Sequence, residues 1–253
     1  RCGGFENFTY WNFGLKLGFV INPYLYAAAG CTEEINDDFS TDEGTCVNCG
    51  TVDYGVDTGN NRCDWEMYRI IGTGGWNIAL PETIGGGTAE ENYFLVQFTL
   101  YVNELTTGSY AQNKYIYIGL STDNTCDSRA SQNSAGLYWL NYATEEQIRV
   151  TWESAGSSMF NGGVLTSFAP STGSTKYVRI IYDGSSLKLE LYANSDFSDT
   201  PITATDSSAG HTSDSYDYFS MFGMHHPSQG SGQGSGDGWI QDLKIWKGRT
   251  TPC

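Results

Sequence analysis

The sequence predicts an all-β protein: an antiparallel β-sandwich of the jelly-roll kind, with a cysteine-rich, irregular N-terminal portion. Three observations predict it. Several runs between residues 93 and 246 alternate apolar and polar residues with a period of two, the pattern of strands with one buried face. Turn-forming Gly, Asn, Asp and Ser separate those runs at short intervals, as in sandwiches and barrels. No stretch carries a long helical periodicity; residues 142–148 suit at most one helical turn.

The first 64 residues differ from the rest. Their head is aromatic, with Phe5, Phe8, Trp11, Phe13, Phe19 and Tyr24. A segment of this kind packs either as an extra layer on its own domain or as an assembly arm on a neighbouring copy. Those six residues are the assembly candidates. A head-to-tail contact makes fibres unless it closes into a ring. The expected division is 1–64 for this segment and 65–253 for the sandwich.

The strand runs follow in order. In 93–103, Phe94, Val96, Phe98, Leu100 and Val102 share a face. Residues 114–121 and 136–142 read as strands rich in Tyr. In 147–153, Ile148, Val150 and Trp152 alternate with Arg149, Thr151 and Glu153. Residues 176–183 and 187–192 flank Asp183-Gly184, a hairpin turn signal. Residues 217–224 and 238–246 close the series.

Composition limits the function. Lys plus Arg number 13 against 29 Asp plus Glu, a net charge of −16, so the surface repels nucleic acid. Abundant aromatic residues argue against disorder. The apolar stretch 15–30 contains Lys16, Asn22 and Pro23 and is too short to span a bilayer as a helix. The chain begins at Arg1 rather than Met, as a mature secreted chain does after loss of its leader. Asn7-Phe8-Thr9 is a glycosylation acceptor pattern at Asn7. The expected location is extracellular or at a cell surface.

Seven cysteines support that location. Cys2, Cys31, Cys46, Cys49 and Cys63 lie early, Cys126 is mid-chain and Cys253 is last. All seven are disulfide candidates, yet an odd number leaves at least one without an intrachain partner, free and buried or bonded to a neighbouring subunit. A four-thiolate zinc site at Cys31, Cys46, Cys49 and Cys63 is the competing reading.

Calcium is the one metal the loops suggest. Asp53, Asp57, Asn60 and Asp64 crowd one segment, and hard cations take such oxygen ligands. No cofactor is required by any motif. Carboxylates suited to glycoside hydrolysis are missing from the strand patterns, and the three histidines fall in no catalytic arrangement. Tyr115, Tyr117, Tyr138, Trp139 and Tyr192 form a candidate aromatic row for glycan or subunit contact.

Several of these residues carry a family resemblance. Gly238-Trp239-Ile240-Gln241-Asp242-Leu243-Lys244-Ile245-Trp246 resembles the closing strand of laminin-G-like jelly rolls, with Gln241 in place of an Asp. The hairpin 177–192 and Ile116–Ser121 resemble segments of the same concanavalin A-like lectin/glucanase superfamily. The resemblance covers about residues 70–247 and implies a jelly-roll sandwich. It also implies that a structural calcium, where present, sits near the sheet edge where Asp242 falls.

Two functions from different classes follow. The first is a non-catalytic extracellular structural protein, a subunit of a filament, sheath or surface assembly whose partners are copies of itself. The alternative is a secreted lectin-like module that binds glycans or mediates adhesion, with or without calcium. A glycoside hydrolase or polysaccharide lyase is the weakest expectation.

Overall fold

A computed structural model describes residues 35–47, 54–67, 75–86, 92–106, 112–125, 133–142, 145–153, 173–206, 215–223 and 235–252. All of them fall in one compact unit, Glu33–Pro252. Among them the structure is all-β, with no helix.

Among the described residues, fourteen strands form two antiparallel sheets. They are β1 (Ile35–Asp37), β2 (Thr45–Val47), β3 (Tyr54–Asp57), β4 (Arg62–Met67), β5 (Gly75–Gly85), β6 (Phe94–Thr106) and β7 (Gln112–Ser121). Then come β8 (Ser134–Tyr142), β9 (Glu145–Glu153), β10 (Ser174–Tyr182), β11 (Leu187–Tyr192), β12 (Ile202–Asp206), β13 (Ser215–Gly223) and β14 (Ser235–Lys247). The eight-stranded sheet runs β12-β11-β10-β6-β14-β4-β3, with β1 also paired to β14. The six-stranded sheet runs β2-β5-β13-β7-β8-β9.

Alternation places the core where the sequence predicts it. Phe94, Val96, Phe98, Leu100 and Val102 all face inward and are buried, as are Ile148 and Val150. Leu187, Leu189 and Leu191 do the same from β11. Phe98 meets Phe219 edge to face, with centroids 6.1 Å apart and planes at 67°. The Asp183 carboxylate caps the β10–β11 turn, accepting from the Ser185 and Ser186 amides at 2.9 and 2.8 Å. Gly184 supplies the positive φ of 84° that the turn needs.

Three expectations change. β1, β2, β3 and the start of β4 precede residue 65 and are hydrogen-bonded into the sheets, so the sandwich reaches further back than the expected boundary. Those strands are too short for periodicity to reveal. Residues 145–148 belong to β9 rather than to a helical turn, because they pair with Trp139–Tyr142 of β8. β5 was hidden by Pro81. The proline is tolerated because it lies between the Ala79↔Tyr218 and Ile84↔Tyr216 pairs, where the ladder is interrupted by a register shift.

Cys63 corrects one disulfide candidate. It is a free thiol facing the core, opposite Val56 on one side and Ile240 on the other. Burial pushes its pKa well up, so the reactive thiolate is disfavoured. It is expected to resist alkylation in the native protein and to react only after denaturation, as peptide mapping would show. Cys63→Ser is expected to lower stability by about 1–3 kcal/mol, because it buries a stronger polar group. Cys2, Cys31, Cys49, Cys126 and Cys253 lie outside the described residues, and Cys46 is described only by its backbone in β2.

Asp37 carries a pH-dependent cost. Its Oδ1 accepts from the Phe39 amide at 2.7 Å, holding Phe39 at a φ of 57° with its ring against Trp76. Its other oxygen, Oδ2, is buried without a partner. Burial raises its pKa; the Phe39 amide lowers it, and nearby Glu43, Asp38 and Asp42 raise it further. The folded state therefore holds this proton more tightly than the unfolded chain. The stability so contributed is full below the ordinary value of 3.8 and is lost as pH rises through the folded pKa. Asp37→Asn is expected to raise the melting temperature near neutral pH, with the gain vanishing on acidification past that value. A gain that is independent of pH would refute this account.

Candidate functional site

The expected aromatic row does not form an exposed platform. Tyr117, Tyr138 and Trp139 are fully buried, and Tyr192 is nearly so. Trp139 faces the inter-sheet core. Tyr117 lies on the opposite face of its sheet, stacked on Phe222 at 4.6 Å, with its hydroxyl donating to the Leu120 carbonyl at 2.6 Å. Gly119 and Gly136 make room for it: a Cβ on Gly119 would come within 2.7 Å of that hydroxyl. Tyr138 accepts from Arg149 at 3.3 Å. Tyr192 donates to Glu190 at 2.6 Å and meets the Phe197 ring edge to face at 5.1 Å. Of Tyr115 only the backbone, in β7, is described.

The calcium candidates are engaged with each other. Asp57 accepts from the Asn60 side chain at 2.6 Å and faces Arg62 at 3.6 Å. Asp64 also pairs with Arg62, at 2.7 Å. Asp242 sits in the β14 bulge at a φ of 53° and accepts weakly from Thr99 at 3.4 Å. Among the described residues no group of three or more His, Cys, Asp or Glu is placed to hold a metal. Arg62 lies between Asp57 and Asp64. Asp53, the glycosylation candidate Asn7 and the assembly residues Phe5, Phe8, Trp11, Phe13, Phe19 and Tyr24 lie outside the described residues.

Of the residues that do converge, Asp64 alone was selected from the sequence, as a calcium candidate. An open cavity of about 610 Å³ is lined by Arg62, Asp64, Trp65, Tyr101, Asn103, Asp237, Gly238 and Trp239. Three neighbouring strands of the eight-stranded sheet build it. Tyr101 of β6 and Trp239 of β14 are direct cross-strand partners. Their half-buried rings stack at 4.8 Å with planes 12° apart. Asp64 of β4 lies opposite Trp239 on the other side. Asp237 accepts from the Asn103 amide at 2.7 Å.

Burial pushes the Asp64 carboxyl up, and the Arg62 guanidinium offsets only part of that rise. For Asp57 the Asn60 hydrogen bond dominates and holds the carboxyl below its ordinary value. Gly238 is needed where it stands: a Cβ there would overlap the Tyr101 carbonyl oxygen and come within 2.7 Å of the Trp65 ring. Trp65, which lines the cavity, has its Nε1 buried without a hydrogen-bond partner.

No protein-family model matches this chain, and a comparison with curated proteins finds no match. Solved structures do resemble it. The exoplasmic/lumenal domain of VIP36, in its Ca2+/Man-bound form, aligns with a TM-score of 0.53 at 9% identity, over 81% of this chain and 83% of that one. Basic winged bean lectin with Tn-antigen aligns with a TM-score of 0.50 at 11% identity, over 81% and 93%. The fold that this chain shares with these structures is an antiparallel β-sandwich. A carbohydrate esterase from the Shiga toxin-encoding bacteriophage phi24B has a TM-score of 0.50 at 11% identity, over 85% and 98%. At these identities the likeness establishes the fold alone.

Proposed function

We propose that this chain is a non-catalytic, extracellular glycan-binding module. The observation that carries the reading is the stacked Tyr101–Trp239 pair at the mouth of a polar cavity. Rigid aromatic rings present flat apolar surface to the C–H face of a pyranose. Arg62, Asp64, Asn103 and Asp237 surround them with donors and acceptors for hydroxyls. The lectin structures that share the fold support this reading by analogy.

Both carboxylates are engaged within the protein: Asp64 pairs with Arg62 at 2.7 Å, and Asp237 accepts from the Asn103 amide at 2.7 Å. Carboxylates held in this way suit the recognition of hydroxyls. The filament-subunit reading rests on residues 1–30, which lie outside the described residues, whereas the glycan reading rests on a described cavity. A glycan array with and without a chelator tests it: binding in both conditions is expected, and no binding in either refutes it.

A further inference from the structure

We propose that the Tyr101–Trp239 cavity selects a cationic sugar, a hexosamine with a free amine, over N-acetylated or acidic sugars. The inference rests on the glycan-binding reading and names its ligand class. Three features of the cavity lead to it.

The first is charge. Arg62 is the cation of this cluster, and both Asp57 and Asp64 already face it. Asp237 is held by a neutral amide. The described side chains thus carry one positive and three negative charges. An arriving ammonium relieves the repulsion among these carboxylates. The whole chain, at −16, repels uronates and sulfated sugars and attracts cations.

The second is the aromatic pair. Tyr101 and Trp239 offer π faces, which attract a cation as well as a sugar ring. The third is Trp65, which lines the cavity and whose buried Nε1 lacks a partner. A sugar hydroxyl is an acceptor.

The test measures full-chain affinity for four probes of matched length: glucosamine oligomers, N-acetylglucosamine oligomers, oligouronates and an oligolysine peptide. The glucosamine oligomer is expected to bind at least about tenfold more tightly than its N-acetylated form, with the oligouronate weakest. Added salt is expected to narrow that gap. Asp237→Asn is expected to reduce the ratio of the two affinities several-fold. Equal or tighter binding of the N-acetylated oligomer, lost in Trp239→Ala, overturns the amine preference and leaves the glycan reading standing. An unchanged ratio in Asp237→Asn also overturns it. Trp239-dependent binding that favours oligolysine assigns the cavity to a cationic peptide and overturns the proposal. Absence of binding to every sugar refutes both readings.

Discussion

Trp239→Ala is expected to remove glycan binding, with a loss of about 2 kcal/mol or more, roughly thirtyfold in affinity. Trp239 supplies half of the stacked pair, and without it Tyr101 loses its stacking partner. Trp239→Phe keeps a flat ring and is expected to retain much of the affinity. Trp239 is half-buried on the outer face of its sheet, outside the inter-sheet core, so the alanine variant is expected to melt cooperatively. A folded Trp239→Ala protein that binds as tightly as the parent would remove the cavity from consideration.

Phe98→Ala is expected to have the largest effect on stability, about 3–5 kcal/mol. Phe98 is buried in β6, the strand that joins β10 to β14. Its ring crosses the sandwich to Phe219 of β13, so its removal opens a void between the two sheets. For a domain of this size each kcal/mol shifts the melting temperature by about 2–4 °C, so a fall of about 6–20 °C is expected. A double-mutant cycle with Phe219→Ala is expected to show coupling of about 0.5–1.5 kcal/mol beyond apolar burial. Additive effects would mean that the ring contact contributes nothing specific.

Much of the fold was legible because strand alternation is a local property. The run Phe94–Val102 announces its buried face within nine residues, and Asp183-Gly184 announces its turn within two. β1, β2 and β3 were not legible, since three or four residues hold at most two on a face. The candidate site was less legible still. The sequence reading chose Tyr117 and Tyr138 as platform residues because Tyr is amphipathic and rigid. It passed over Tyr101 and Trp239, although both also sit at outward positions of predicted strands.

By itself the sequence determined the strand character, the inward residues of the long strands and the acidic surface, each set by neighbours in the chain. Tertiary structure alone decided which outward residues meet solvent. Period two distinguishes the faces of a strand but not whether a second layer covers the outer one, and Tyr117 is buried on that side. The register of β6 against β14 and of β14 against β4 likewise depends on strands far apart in sequence. That register brought Tyr101 beside Trp239 and Asp64 into one cavity, and it placed Cys63 in the core as a thiol without a bridge.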